Sequence, residues 1–286
     1  MATTATVLLG TTRKAGWAGS EKVIKSAMLN LKESMIKKFL FSLATVSILF
    51  VLAPLPAYAS HSWGNYHWAR TANPFTLKLG DNMSSNWDPY LATSSSDWSL
   101  SSILDTSIVS GGTTAKKCRA TTGRVEVCNA TYGRNGWLGM ARIWITGAHI
   151  TKGAVKVNDT YFKAAKYNTP AWRNSVLCQE TGHTLGLDHQ DEDFYNPPLG
   201  TCMDYSLDPT LNQHPNQHDY DQLELIYAHL DSTSTVGQTK LQKGLQTEPG
   251  DTPNSWGKLV RKHGKSAVYE LNQKGGGKIV TFVILS

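Results

Sequence analysis

The stretch that most narrows what this chain can fold into is Cys178 to Gln190, CQETGHTLGLDHQ. Gln179 and His183 stand four residues apart and Glu180 precedes His183 by three. Positions three and four apart share one face of a helix, so these three side chains are predicted to project together. Gly186 permits a sharp exit from that helix. His189 can then return to the same point from the following loop. A chain carrying this set must bury a helix, its exit and a return loop against one another. Downstream, Cys202 and Met203 sit in TCMDY, Thr201 to Tyr205.

The residue types point to metal chemistry. Three protein ligands and one open position are what a catalytic zinc site keeps. His183, His189 and the residue at position 179 are the candidate ligands. Glu180, beside them, is placed to take a proton from a metal-activated water. Gln179 is a weaker donor than imidazole, because a neutral amide oxygen gives less charge. Metal affinity should fall while the metal becomes more electrophilic. If Gln179 only hydrogen-bonds, the site is dead. His61, His67, His214 and His218 are surrogate ligands, of which His214 and His218 lie nearest the motif. Gln179, standing in register, ranks ahead of them.

E-x-x-H-x-x-G-x-x-H from Glu180 to His189, with Met203 and Tyr205 downstream, resembles the metzincin clan of zinc endopeptidases, matrixin- or astacin-like. Gln179 departs from the clan by replacing its first motif His. The resemblance covers residues 178 to 230. It implies an α+β fold: a twisted mixed sheet, an active-site helix, a methionine turn and a closing helix, Asp219 to Leu230. It implies that Gln179, His183 and His189 hold Zn2+, that Glu180 is the general base and that Met203 floors the metal. Tyr205 takes the place of the transition-state donor of astacin-like and serralysin-like members. The strand MARIWITGAHI would lie near the cleft, with a neighbouring edge strand receiving an extended peptide. The implied function is a secreted zinc endopeptidase. The rivals are an inactive secreted binding protein and a metal hydrolase of a non-peptide substrate such as a cell-wall crosslink.

Export is read independently of the motif. Met35-Ile-Lys-Lys opens a positive segment, an apolar run follows from Phe39 to about Leu55, and Ala57-Tyr58-Ala59 offers a cleavage site. Ser42, Thr45, Ser47 and Pro54 interrupt the run, which favours a signal peptide over a membrane anchor. The expected layout is an upstream extension (1–34) ahead of a true initiator at Met35, a signal peptide (35–59), a catalytic domain (60–231), a linker (232–256) and a small C-terminal β segment (257–286). The formal charge of +6 misleads: residues 1–59 hold 7 Lys/Arg and 2 Asp/Glu, leaving 21 against 20 in the rest. A nucleic-acid partner is therefore not expected. The partners expected are peptide or protein substrates, with no lasting membrane anchor and a monomeric chain.

Cys118, Cys128, Cys178 and Cys202 are even in number, and no C-x-x-C spacing suggests zinc ligation. The sequence-local disulfides are Cys118–Cys128 and Cys178–Cys202, with free thiols or a zinc site as alternatives. By the resemblance, the second bridge would pin the methionine turn to the metal helix.

FTLKLGDNM, RVEVCNATYG and MARIWITGAHI are predicted strands, and AVKVND and TYF edge pieces. DWSLSSILDTSIVSGG is predicted to be a helix capped by Asp97 and ended by Gly111-Gly112. NTPAWRNSVLCQETGHTLGL is predicted to be a helix, with Thr169 as N-cap and Pro170 opening it. NQHDYDQLELIYAHL is another, capped at Asn216 and amphipathic through Leu230. The acidic run from Asp188 to Asp193 admits Ca2+ binding, orientation of His189 or pairing with a new amino terminus, with a solvated turn as the simplest expectation. Trp87 and Trp98 are expected to pack rather than bind. The C-terminal segment should form two or three short strands docked on the main body, and a tail over the cleft is a further expectation.

Overall fold

The computed structural model describes residues 25–39, 60–239 and 248–286. Most of the predicted signal sequence and residues 240–247 of the predicted linker lie outside these. The chain divides into two units, Met1–Tyr58 and Ala59–Ser286. In the first, residues 25–39 form helix α1. Among the described residues no helix is long and apolar enough to cross a membrane.

The second unit is built on a mixed sheet. Its strands are β1 (His67–Trp68), β2 (Phe75–Asn82), β3 (Leu104–Ser110), β4 (Val125–Ala130), β5 (Trp137–Thr146), β6 (His149–Asn158), β7 (Lys258–His263), β8 (Ser266–Asn272) and β9 (Gly277–Leu285). They are ordered β3-β2-β4-β6-β5-β9-β8-β7, and β1 adds to the start of β6. The β3-β2-β4-β6 half is parallel. From β6 through β5, β9 and β8 to β7 every pairing is antiparallel. The helices are α2 (Asp88–Trp98), α3 (Asp159–Phe162), α4 (Pro170–Thr184) and α5 (Gln217–Ile226). α4 packs on β5 and β6, and α2 packs on α4. This mixed αβ architecture is in keeping with the α+β class.

Local chemistry explains where the two motif-side helices begin. Thr169 caps α4 by accepting from the Trp172 N–H, and proline sits in its first turn. Asn216 and Asp219 form a reciprocal capping box on α5. α5 stops at Ile226, short of the predicted Leu230, which is exposed. Both disulfides are present, Cys118–Cys128 and Cys178–Cys202.

Three other expectations are corrected. The predicted helix from Asp97 to Gly112 is the end of α2, a turn and β3. Thr106, Ile108 and Val109 favour a strand, and parallel pairing of Phe75 with Leu104 through Asp81 with Ser110 supplies ladder partners a helix would forgo. AVKVN is not an edge piece: it belongs to β6, held between β4 and β5, while TYF lies in α3. The described part of the linker also packs. Arg142 donates to the carbonyls of Pro249 and Gly250, and Lys152 and Lys156 pair with Glu248 and Asp251. Burial lowers the Arg142 pKa to about 10, against the opposing pull of Asp251 and Glu248. Trp87 and Trp98 are fully packed in the core.

Candidate functional site

α4 carries Gln179, Glu180 and His183 to the interior, and the loop after it returns His189 beside them. The His183 and His189 rings meet edge to face, 4.5 Å apart. Gly186 makes the return possible. Its φ is +100°, and a Cβ there would lie 2.3 Å from the Tyr66 carbonyl oxygen. Gly186→Ala is therefore expected to cost on the order of 1–3 kcal/mol and to displace His189, read as a lower Tm together with lost metal content. The N-terminal segment braces the exit: the Trp63 N–H donates to the Gly186 carbonyl at 3.1 Å, and Ser62 bridges to Leu187.

Each candidate ligand has its N–H tied away from the centre. Gln179 Nε2 donates to the Cys202 carbonyl at 3.0 Å, leaving Oε1 buried without a partner. His183 Nδ1 donates to the Leu187 carbonyl at 3.0 Å. Burial and the His189 ring hold the His183 pKa well below its usual value. The ring is thus neutral, with the Nε2 lone pair free. His189 Nδ1 lies 3.1 Å from Glu192 Oε1, and its Nε2 is 2.7 Å from the Tyr205 hydroxyl. Outward partners of this kind orient metal-binding side chains and fix their tautomers. These three donors fit a zinc ion in residue type and in tautomer.

Glu180 is 1% exposed and neither of its oxygens has a hydrogen-bond partner. Burial pushes its pKa well above the carboxylate range, and the nearby Ala141 N–H, which falls short of hydrogen-bond geometry, opposes this only in part. A Cβ on Gly139 would sit 2.6 Å from Glu180 Oε1, so only glycine on β5 admits the carboxylate. Met203 is fully buried beneath α4, its sulfur 2.6 Å from where a Cβ on Gly182 would stand. Desolvation raises the Tyr205 pKa, with Ser266 on β8 acting against it.

The surrogate histidines go elsewhere. His61 pairs with Asp219 at 3.0 Å, His218 stacks on His61, His214 reaches Asp97 at 2.7 Å, and His67 faces Asp231 at 3.4 Å. The acidic run is more than a solvated turn, since Asp188 and Glu192 meet Arg261 from β7. Burial works against ionised Asp188, but its hydrogen bond to Arg261 together with the charges of His189 and Arg261 outweighs that and holds its pKa low.

The edge strand expected beside MARIWITGAHI is not there: both neighbours of β5 are interior, β6 pairing onward with β4 and β9 with β8. β9 pairs with β5 along its whole length, from Trp137 opposite Leu285 to Thr146 opposite Gly277. Phe282 on β9 lies flat on His183, ring centroids 4.3 Å apart with planes 7° from parallel. Its own exposure is nil. Gly139, Arg261 and Phe282 were missed as site residues, while Glu192 belongs to the acidic run expected to orient His189. The isolated glycine in an apolar strand was a usable signal for Gly139. The rest needed long-range contacts.

The donor set, buried carboxylate and sulfur floor define a candidate metal centre in a mixed αβ protein. Comparison of the sequence with protein-family models finds no match, and comparison with curated proteins finds none.

Proposed function

We propose that the chain is a secreted, zinc-dependent endopeptidase of metzincin type, folded in a closed form. The observation that carries this reading is the edge-to-face meeting of the His183 and His189 rings, 4.5 Å apart, with the unpartnered Gln179 Oε1 and the buried Glu180 on the same helix as His183 and the ligand N–H groups of Gln179 and His183 anchored outward. Zinc held by these atoms would supply the Lewis acidity that lets a water ionise near neutral pH. Glu180 takes the water's proton and returns it to the leaving amine. Tyr205 donates its hydroxyl to the oxyanion forming on the substrate carbonyl. The dry surroundings strengthen both interactions. The two disulfides fit an oxidising compartment.

Gln179 sets the metal affinity. Gln179→His should bind zinc at least about tenfold more tightly, since imidazole is the better donor, and His183→Ala should lose zinc at this centre. Metal titration of the full, disulfide-intact chain checks both. Equal affinity of Gln179→His and the natural protein would remove Gln179 from the centre.

A second reading, an inactive binding protein on the same scaffold, is favoured by one observation: Phe282 covers the ligand His183. Hydrolysis of an unfolded protein substrate, with Glu180→Gln as control, separates the two. Turnover lost in the variant supports the peptidase; no turnover in any form supports the binding protein.

A further inference from the structure

Away from the motif, three histidines from distant parts of the chain meet one carboxylate. His67 comes from β1, His149 from the first position of β6, and His229 and Asp231 from the segment after α5. His149 Nε2 and His67 Nε2 lie 3.1 and 3.4 Å from Asp231 Oδ1. His229 Nε2 is 3.1 Å from His67 Nε2 and 3.8 Å from Asp231 Oδ1. We propose that His67, His149, His229 and Asp231 form a structural metal site of their own, taking a divalent cation of the zinc type.

The spacing suits a metal ion: His67, His149 and Asp231 bring their ligand atoms within 4.8 Å of one another, and His229 joins them through His67 and Asp231. Ligands about 2.0–2.1 Å from zinc stand about 3.3 Å apart. The four measured separations run from 3.1 to 3.8 Å.

The protonation pattern also faces inward. His67 Nδ1 lies 2.6 Å from the Asn65 carbonyl oxygen, which can only accept. Nδ1 therefore carries a proton, and Nε2 is the ring atom directed at the cluster. Asp231 Oδ2 is taken by the Arg70 backbone N–H at 3.2 Å and by Arg70 Nη1 at 3.0 Å. Oδ1 is left for the imidazoles. The His67 and His149 rings hydrogen-bond Asp231 Oδ1, and His229 hydrogen-bonds His67 through their Nε2 atoms at 3.1 Å. A cation would take the place of these hydrogen bonds.

Three imidazoles and a carboxylate select zinc-like ions over calcium or magnesium, which prefer oxygen. Four protein ligands fill a tetrahedron, so the site is structural and leaves no position for substrate. It opens to an exterior cleft lined by Ser60, Asn65, His67, His149, His229 and Asp231. His67 and Asp231 form the inner pair, with side chains 5% and 10% exposed, and His149 and His229 the outer, at 37% and 54%. The ion would tie His67 and His149 to Asp231 across 164 and 82 residues of chain. It would thus fasten β1, the start of β6 and the exit of α5. Long closures of this kind favour the folded chain most.

The test is zinc content and thermal stability of the full, disulfide-intact protein. His183→Ala should retain one zinc equivalent, and its Tm should rise when zinc is added. Adding His149→Ala and His229→Ala should remove that equivalent and the rise in Tm. Cobalt(II) in the His183→Ala protein should show the visible absorption of a tetrahedral site. Both outer histidines are exposed enough for the triple variant to fold; His229→Gln alone, a gentler change, should weaken zinc binding by about tenfold or more. Zinc absent from His183→Ala but present in the natural protein overturns this site and leaves the motif centre standing. One equivalent in both, lost in the triple variant, upholds this site and removes the motif centre. Zinc content unchanged by the outer histidines overturns the proposal.

Discussion

Glu180→Gln is expected to lower peptide hydrolysis by about 10²–10⁴-fold while leaving zinc at Gln179, His183 and His189. The substitution keeps the shape of the side chain and removes the basic oxygen. Zinc-free Glu180→Gln should also melt above the zinc-free natural protein. Both Glu180 oxygens are buried without partners, an arrangement costly for a charge and cheaper for a neutral amide. The sign with pH follows from the raised pKa. Glu180 favours the fold below the ordinary carboxylate range, and that contribution is lost as pH rises through the folded-state value. The Tm gap between the two proteins should widen with pH. Thermal melts across pH and turnover at saturating substrate check both halves. Turnover unchanged in the variant would sink the general-base role whatever the melts show.

Phe282→Ala is expected to raise turnover of short peptides by tenfold or more, at a cost in stability. The ring lies on His183 and also meets Trp63 edge to face at 5.5 Å, so its loss opens space beside the centre. Truncating a buried Phe costs about 3–5 kcal/mol. For a domain of this size that lowers Tm by on the order of 10 °C. Release of the whole strand is a different matter. Ile279, Val280, Phe282, Val283 and Ile284 are all buried. At about 1.5–3 kcal/mol each, their exposure costs on the order of 10 kcal/mol, as much as an entire domain is usually stable by. Spontaneous opening is therefore rare, and the natural chain should show low turnover. Arg261 adds a second hold, paired with Asp188 and Glu192 and lying over Trp63 at 4.6 Å. Phe282→Leu, which keeps the bulk, should stay closed. Equal turnover in the natural protein and a folded Phe282→Ala would show that the ring does not gate the centre.

Local signals carried the motif helix. Thr169, Pro170 and Gly186 are punctuation read from neighbours in the chain, and the four-residue spacing of Gln179 and His183 needs only helical geometry. The same holds for Asn216 at the start of α5. The segment from Asp97 to Gly112 misled because its apolar spacing suits a helix, while its β-branched residues find partners in β2, some thirty residues earlier. AVKVN read as an edge piece, and it holds Lys156, with Lys152 two residues before it. In the fold Lys152 and Lys156 are buried, met by Glu248 and Asp251 from a stretch whose composition suggests a linker.

The sequence by itself determined which side chains share one helical face, where the helix begins and ends, and the cysteine pairing that stood first among its alternatives. Those are short-range matters of backbone geometry, capping and loop length. Only the tertiary structure decided what surrounds them. It placed β9 against β5 and Phe282 on His183, and brought His67, His149, His229 and Asp231 to one point. Contacts between residues 80 to 160 positions apart leave no periodic trace in a sequence, because they are selected by burial of whole faces rather than by neighbouring residues.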